Sequence, residues 1–285
     1  MAADAGRAHD GSLRNGAASQ RPCASEAGAA GRAWIRPADS GLLSARGRFD
    51  DLGFDGSPAR LGIMGGTFDP IHLGHLACAE QVRDIYGLDG VVFMPAGDPW
   101  MKRDRDVTCA EDRFAMTAAA VADDPHFDAS RLEIDRPGET YTVDTLRILR
   151  RRYPANVELF FISGADAVFR LLEWRDAREL GGLARLVAVT RPGYRVDDAR
   201  VRYMRTHASI LHLSQVEVTA LAISSTDLRE KAAAGRSIRY LVPPVVADYI
   251  ETHGLYRADA PVSTADDPST ACDGARSEAE RKRGR

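Results

Sequence analysis

The stretch GIMGGTFDPIHLGHL, from Gly62 to Leu76, is the most informative part of this chain. It places two adjacent glycines, a proline and two histidines between a short apolar run and a helical pattern of apolar residues. In an open parallel β-sheet, ligands bind beyond the carboxyl ends of the strands, where a loop leads from a strand into a helix. The stretch therefore predicts a strand, a ligand-binding loop and a helix, in that order.

The residue types in this loop favour a phosphate ligand. Gly65 and Gly66 lack Cβ atoms, so the backbone can approach a bulky anion closely, and the N–H groups at the start of the helix add donors. His72 and His75 are three residues apart, which places both imidazoles on one face of a helical turn. Alone, the glycines would indicate a tight turn and each histidine a capped or buried imidazole. Their combination at a strand-to-helix junction favours phosphate binding, although the chain carries neither a G-x-G-x-x-G fingerprint nor a P-loop.

Beyond the opening stretch, apolar runs alternate with helical patterns. The runs that indicate strands are RLGIMGG, VVFMPAG, VELFFISGAD, ARLVAVTRPG and SILHLSQV. They are nearly continuous in apolar residues, which is typical of strands buried on both faces of a parallel sheet. The alternation predicts an α/β fold built from βαβ units.

Composition divides the 285 residues into three parts. Residues 1–59 are mainly Ala, Gly, Ser, Arg and Asp, and residues 258–285 mix charge with Ser, Thr and Pro. Segments this poor in large apolar side chains cannot offset the entropy lost on ordering them. We expect a disordered N-terminal extension over 1–59, one folded domain over 60–257 and a disordered C-terminal tail over 258–285.

Charge and hydropathy argue against several classes of protein. The formal net charge is −3, so no overall positive field favours nucleic acid or an anionic membrane surface. The chain has no apolar run of about 18 residues and no apolar segment near residue 1 that would serve as a signal peptide. Its four cysteines show no C-x-x-C spacing, so no zinc site is predicted. We expect a cytoplasmic protein without a membrane or nucleic-acid partner.

A second motif, ISSTDLR, lies about 150 residues after the first. Ser224, Ser225 and Thr226 open a predicted helix and offer hydroxyl and N–H groups to phosphate. Arg229 follows one turn later with a forked positive charge. Alone, this motif would indicate an ordinary capped helix with a surface arginine. The two motifs in this order are together far more specific than either alone.

GGTFDPIHLGH and ISSTDLR together resemble the nucleotidyltransferases with an H-x-G-H signature and, among them, the nicotinate-nucleotide adenylyltransferase family. The likeness covers about residues 61–257. It implies a Rossmann-like parallel sheet with helices on both faces. It further implies an enzyme that joins the adenylyl group of ATP to nicotinate mononucleotide, releases pyrophosphate and forms nicotinate adenine dinucleotide in NAD biosynthesis, with Mg²⁺ assisting. A substrate phosphate already carries a nucleophilic oxygen, so this chemistry needs alignment and charge neutralisation but no protein nucleophile.

The resemblance also implies roles for single residues. The residues implied to act on phosphates in catalysis are His72, His75, Lys102 and Arg229. Those implied to contact ATP are Gly65, Gly66, Thr67, Phe68, Gly164, Asp166, Arg191, Ser224, Ser225 and Thr226. Those implied to lie near the nicotinate ring are Tyr141, Thr142, Asp144 and Trp174, the last as a stacking platform. No side chain is assigned to a metal.

Ordinary structural roles stay open for several of these residues. Lys102 could be a solvated loop lysine, Thr142 an N-cap, Trp174 a core residue and Arg191 a salt-bridged strand end. Many relatives carry Pro-His-Lys where this chain reads PWMK, which leaves the geometry of that loop open.

Other functions stay open as well. Pantetheine-phosphate adenylyltransferase shares the H-x-G-H signature, and a regulatory nucleotide-binding module would share the fold without catalysis. Nicotinamide mononucleotide could also be accepted, because it differs from the nicotinate compound in one group. The sequence is compatible with a homo-oligomer and does not determine the oligomeric state.

Overall fold

The computed structural model describes residues 43–98, 107–168, 174–190, 202, 206, 211–219 and 221–257. In these residues the strands are β1 (Ala59–Gly66), β2 (Gly90–Pro95), β3 (Phe127–Ala129), β4 (Val157–Gly164), β5 (Arg185–Thr190) and β6 (Leu213–Glu217). The α-helices are α1 (Leu73–Tyr86), α2 (Ala110–Ala120), α3 (Thr142–Arg152), α4 (Ala165–Val168), α5 (Leu180–Leu183), α6 (Ser225–Ala233) and α7 (Pro244–Thr252). A 3₁₀ turn, Ala177–Glu179, leads into α5.

The strands form one parallel sheet in the order β3-β2-β1-β4-β5-β6. The predicted α/β fold and all five predicted strands are confirmed. β3 was not predicted, because three residues are too few to show a pattern. The strand order reverses between β1 and β4. β1 lies in the centre of the sheet, where its Leu61 pairs with Gly90 of β2 and with Leu159 of β4. In such sheets this reversal point is where ligands bind.

Helices cover both faces of the sheet. Apolar side chains of α1, α2, α6 and α7, such as Val82, Met116 and Ile250, form one core layer with one face of the sheet. Side chains of α3, α4 and α5, such as Leu146 and Leu180, form the other. Among the described residues, none of the helices combines the length and apolar character needed to cross a lipid bilayer.

The folded region begins before residue 60, which corrects the expectation that all of 1–59 is disordered. Residues 43–58, here called the strap, run from the carboxyl end of β3 to the amino ends of β2 and β4. The backbone N–H of Ala45 donates to the carbonyl of Ala129 at 2.7 Å, at the outer edge of the sheet. The side-chain amide of Asn156 donates to the carbonyls of Gly53 and Ser57 at 2.8 and 2.6 Å.

One buried aromatic ring explains why this segment folds despite its composition. Phe49 is 7% exposed and packs over Gly90, where even a Cβ atom would lie only 2.1 Å from the ring. Buried polar contacts add to it, because Ser44 donates to Asp128 at 2.7 Å and the backbone N–H of Leu43 donates to Asp50 at 2.8 Å. The average composition of residues 1–59 does not reveal the contribution of a single buried phenylalanine.

A buried arginine joins the loops at the carboxyl edge of the sheet. Arg113 on α2 is 1% exposed, and its guanidinium donates to the carbonyls of Thr67, Gly97 and Thr108 at 2.8, 3.0 and 2.8 Å. These carbonyls belong to the loops after β1 and β2 and to the segment before α2. Burial lowers the pKa of Arg113 from its ordinary value, although a guanidinium stays charged.

A buried carboxyl group lies next to the start of α3. Glu133 is 5% exposed and accepts a 2.7 Å hydrogen bond from the hydroxyl of Thr145 in the first turns of that helix. Burial raises the pKa of Glu133 to about 7, and the Thr145 bond and the charges of Arg136 and Arg113 offset only part of that rise. Glu133 therefore titrates near neutral pH in the folded protein.

We predict that Phe49→Ala lowers the free energy of unfolding by about 3 kcal/mol, because it removes a buried ring and leaves a cavity over Gly90. Phe54→Ala in the same segment is the control, since Phe54 is 56% exposed. Urea denaturation of both variants checks this. Equal midpoints for Phe49→Ala and the unchanged protein would contradict the assigned packing of the strap.

We predict that Glu133→Gln reduces the loss of stability that accompanies a rise from about pH 5 to about pH 7. The folded protein holds this proton up to about pH 7, whereas the unfolded chain releases it near 4.5, so stability falls across that window and then levels off. Gln keeps the size and an acceptor for Thr145 but does not titrate. Denaturation curves at several pH values test this, with exposed Glu251→Gln as the control. Parallel pH profiles for Glu133→Gln and the unchanged protein would be the contrary result.

Candidate active site

A cavity of about 380 Å³ lies where the strand order reverses, between the ends of β1 and β4 and the starts of α1 and α6. Sequence-predicted residues that line it are Gly65, Gly66, Phe68, His72, His75, Gly164, Ser224, Ser225, Thr226 and Arg229. Residues that line it without having been predicted include Asp69, Ser163, Val189, Val218, Leu221 and Ile223. The fold thus brings both sequence motifs to one cavity.

The two histidines lie at the start of α1 with their rings stacked. The ring centroids of His72 and His75 are 3.6 Å apart at an interplanar angle of 20°. The backbone N–H of His72 donates to Nδ1 of His75 at 3.2 Å. A backbone N–H can only donate, so neutral His75 carries its proton on Nε2. In that form the imidazole of His75, which lines the cavity, carries its donor on Nε2.

The glycines of the first motif make room for side chains of the protein itself. A Cβ atom on Gly66 would lie 2.8 Å from the ring of Phe68, and one on Gly74 would lie 3.0 Å from the ring of His72. Phe68 has a φ of 50°, in the left-handed region, and its ring meets the edge of the His75 ring at 5.0 Å. The sequence predicts that Gly66 allows the close approach of a ligand. In the structure, Gly66 also makes room for the ring of Phe68, which packs against His75.

Gly164 differs from these glycines. Among the described residues other than its chain neighbours, no atom lies within 4 Å of a Cβ built on Gly164, and this residue lines the cavity at the end of β4. Packing against the described residues therefore does not explain a glycine here.

The second motif forms the opposite wall of the cavity. The hydroxyl of Ser224 caps α6 by accepting from the N–H of Asp227 at 3.1 Å, as predicted for an N-cap. The hydroxyl of Ser225 donates to the carbonyl of Pro70 at 3.0 Å. These hydroxyls, expected to bind phosphate, thus have structural partners, and the first-turn N–H groups and Arg229 supply the donors at this wall.

Asp69 connects the two motifs. The guanidinium of Arg229 donates to the backbone carbonyl of Asp69 at 2.7 Å and lies 3.9 Å from its carboxylate. The carboxylate, which is 4% exposed, also accepts from the hydroxyl of Tyr256 at 2.7 Å and from the N–H of Thr108 at 3.3 Å. Burial and the charge of Asp69 raise the pKa of Tyr256 well above its ordinary value.

The residues predicted near the nicotinate ring form a second group at the start of α3. Tyr141 is the N-cap residue, and the guanidinium of Arg175 lies 4.9 Å above its ring and 4.0 Å from the carboxylate of Asp144. Trp174 packs edge-on against Phe161 at 6.0 Å, and its indole N–H is buried without a hydrogen-bond partner in the described structure. Thr142 is the first residue of α3 and therefore not its N-cap.

This second group adjoins the first cavity through Phe161. A Cβ atom on Gly65 would lie 3.0 Å from the Phe161 ring, which also contacts Trp174. Tyr141, Thr142, Asp144 and Trp174 do not themselves line the cavity.

Two further predicted residues, Thr67 and Asp166, are not among the described residues that line the cavity. Thr67 uses its carbonyl to hold Arg113, and Asp166 is an exposed residue in α4. Lys102 and Arg191 lie outside the described residues, so their predicted roles stay predictions.

Sequence reasoning missed Asp69 and the apolar wall formed by Val189, Val218, Leu221 and Ile223. Asp69 stands inside the first motif, so a carboxylate in a phosphate-binding loop was a visible signal. The apolar wall could not be recognised in the sequence, because its members are common apolar residues at and after strand ends and form no motif.

The described residues contain no group of three or more His, Cys, Asp or Glu side chains that could hold a metal ion. The oxygens of Asp69 already accept from Tyr256 and Thr108. Mg²⁺ in nucleotide sites is commonly held through substrate phosphates, and these residues do not fit a resident cation cage.

Comparison with known proteins identifies the family. Residues 63–231 match the model of the cytidylyltransferase-like family. The chain is 54% identical over 197 residues to a protein of Corynebacterium kroppenstedtii named "Probable nicotinate-nucleotide adenylyltransferase", covering 69% of this chain and 90% of that protein. A protein of the same name from Salinispora arenicola is 50% identical over 194 residues, which cover 68% of this chain and all of that protein.

A solved structure shares the fold. Plasmodium falciparum nicotinic acid mononucleotide adenylyltransferase, complexed with NaAD, superposes with a TM-score of 0.57 at 18% identity over 70% of this chain and 97% of that one. Identity this low supports the fold alone, whereas the bacterial relatives share half of their residues with this chain across nearly their whole length. The two motifs, the parallel sheet and these relatives agree, and the chain belongs to the nicotinate-nucleotide adenylyltransferase family.

Proposed function

We propose that this protein transfers the adenylyl group of ATP to nicotinate mononucleotide, giving nicotinate adenine dinucleotide and pyrophosphate. The observation that carries the proposal is the meeting of His72, His75 and Arg229 around one cavity at the reversal point of the sheet. The bacterial relatives, named for this activity, support the substrate assignment.

The chemistry of the cavity matches the parts of ATP. The apolar side chains of Val189, Val218 and Leu221 offer a surface to a base, and Gly164, which lines the cavity, lies beside the sugar. The histidines, Arg229 and the first N–H groups of α6 provide positive charge and donors for the phosphates. ATP binds with its base toward β5 and its phosphates between α1 and α6.

The reaction then needs alignment and neutralisation of charge. A phosphate oxygen of the mononucleotide attacks the α-phosphorus of ATP, a new P–O bond forms, and the bond to pyrophosphate breaks. The Nε2–H of His75 stabilises the charge that develops on the leaving group, because its orientation is fixed before the reaction begins.

The nicotinate ring binds near the start of α3. Trp174 supplies the stacking surface, and the uncapped N–H groups of Thr142 and its neighbour favour the nicotinate carboxylate over an amide. Lys102 and Arg191 are proposed, from the resemblance alone, to assist on the phosphates and on the adenine side.

Mg²⁺ enters with the phosphates of ATP and supplies additional charge neutralisation there. No step above is assigned to it. The cytoplasmic location stays a prediction from the sequence, and the homo-oligomer stays a possibility that the sequence leaves open. None of the described residues favours pantetheine phosphate as a substrate or a role without catalysis.

We predict that His75→Asn lowers turnover by about 10²–10³-fold, the effect of removing one preorganised donor to a developing charge. Asn places its carbonyl oxygen where Nδ1 lies, so the bond from the His72 N–H is kept while the Nε2 donor is lost. Steady-state kinetics together with the melting temperature test this. Full turnover in a folded variant would disprove the role of His75.

The substrate assignment is tested by supplying ATP and Mg²⁺ with nicotinate mononucleotide, nicotinamide mononucleotide or phosphopantetheine and measuring pyrophosphate. We predict the highest kcat/KM for nicotinate mononucleotide, by roughly ten- to a hundredfold over the amide, because an amide NH₂ facing an N–H donor leaves a buried donor unpaired. Equal values would reject the carboxylate preference. Turnover of phosphopantetheine alone would reject the proposed function.

A further inference from the structure

We propose that Tyr256 is a positioning residue for the ATP site. It acts by holding the carboxylate of Asp69 away from Arg229, so that the guanidinium stays available to phosphates. This inference rests on one part of the proposed function, which is that Arg229 binds the phosphates of ATP.

The position of Tyr256 is unusual for a residue after the last helix. It follows α7 with a φ of 62°, a left-handed conformation that is costly for a bulky side chain. Its ring packs against the core, and its hydroxyl reaches Asp69, 187 residues earlier in the chain, at 2.7 Å. The phenol is therefore held by core packing and by its hydrogen bond to Asp69.

The carboxylate that Tyr256 holds has a competing partner. Asp69 is buried, so its oxygens must find donors within the protein. One oxygen accepts from Tyr256, and the other accepts from the N–H of Thr108 and lies 3.9 Å from the guanidinium of Arg229. That last distance is too long for a hydrogen bond. Tyr256 and Thr108 thus satisfy a carboxylate that would otherwise form a close ion pair with Arg229.

The consequence concerns the charge that the cavity presents. Arg229 donates to the backbone carbonyl of Asp69 at 2.7 Å and to the hydroxyl of Thr226 at 3.4 Å, and about a quarter of its side chain is exposed. A close, two-pronged pair with the carboxylate would neutralise the guanidinium and draw it from the cavity. Removing the phenol hydroxyl frees one carboxylate oxygen to rotate toward Arg229, and ATP must then compete with Asp69 for the same cation.

A matched control lies on the preceding helix. Tyr249 on α7 donates to the buried carboxylate of Asp112 at 2.8 Å, and neither residue lines the cavity. Tyr249→Phe and Tyr256→Phe therefore remove equivalent tyrosine-to-aspartate hydrogen bonds, of which only one concerns Arg229.

The test uses the full chain and an unreactive ATP analogue with a methylene group between the α- and β-phosphates, with binding measured by calorimetry. Tyr256→Phe should weaken binding of the analogue about tenfold, the effect of one hydrogen bond to a charged group. It should raise KM for ATP by a similar factor and leave KM for nicotinate mononucleotide unchanged. Tyr249→Phe should lower the melting temperature comparably without weakening the binding.

A second variant separates the proposed route from a general loss of structure. Asp69→Asn keeps an oxygen for Tyr256 but has no charge with which to capture Arg229. In that background Tyr256→Phe should not weaken binding further. Equal effects of the two Phe variants, a further tenfold loss in the Asn background, or a Tyr256→Phe protein that does not fold would each overturn the proposal. The analogue measurement needs no second substrate, so its outcome is independent of which mononucleotide the enzyme uses.

Discussion

The buried guanidinium of Arg113 is the contact on which the carboxyl edge of the sheet depends. A positive charge inside a protein is tolerated only where hydrogen-bond acceptors surround it. Arg113 donates to three backbone carbonyls, each from a different irregular segment. These hydrogen bonds fix the relative positions of the three segments. Two of these segments are connected to Asp69. Thr67 is two residues before it in the chain, and the N–H of Thr108 donates to its carboxylate. The cavity thus depends on a charged side chain that is not among the described residues lining it.

Close packing within the first motif is a second constraint. Phe68 is held in a left-handed conformation with its ring above Gly66 and against His75, and His72 lies over Gly74. Strained backbone of this kind persists where the surroundings over-determine it, and it concentrates at functional sites. The glycines usually associated with ligand approach here also serve the histidines, so a side chain at either position would disturb the site before any ligand arrives.

The sequence was sufficient for the strands other than β3 and for the two motifs, because apolar runs, caps and glycines are local signals. It was insufficient wherever a role depends on contacts far apart in the chain. Asp69 was visible in the first motif, but its partners Tyr256 and Arg229 lie more than 150 residues away. The strap was misassigned because its stability comes from Phe49 meeting Gly90, a single contact that composition averages out. The role of Trp174 stays a prediction. Its indole N–H is buried and has no hydrogen-bond partner among the described residues, and this does not test whether the ring stacks on a ligand.

The strap also has a bearing on the order in which the chain can fold. Its partners Ala129 and Asn156 are made long after the strap itself, and β4, which starts at Val157, pairs with β1 at the centre of the sheet. During synthesis the strap therefore lacks these two partners until about a hundred further residues have left the ribosome. Its mixture of small and charged residues, which misled the compositional analysis, is suited to that interval, because such a segment has little tendency to associate with other chains before its binding surface exists.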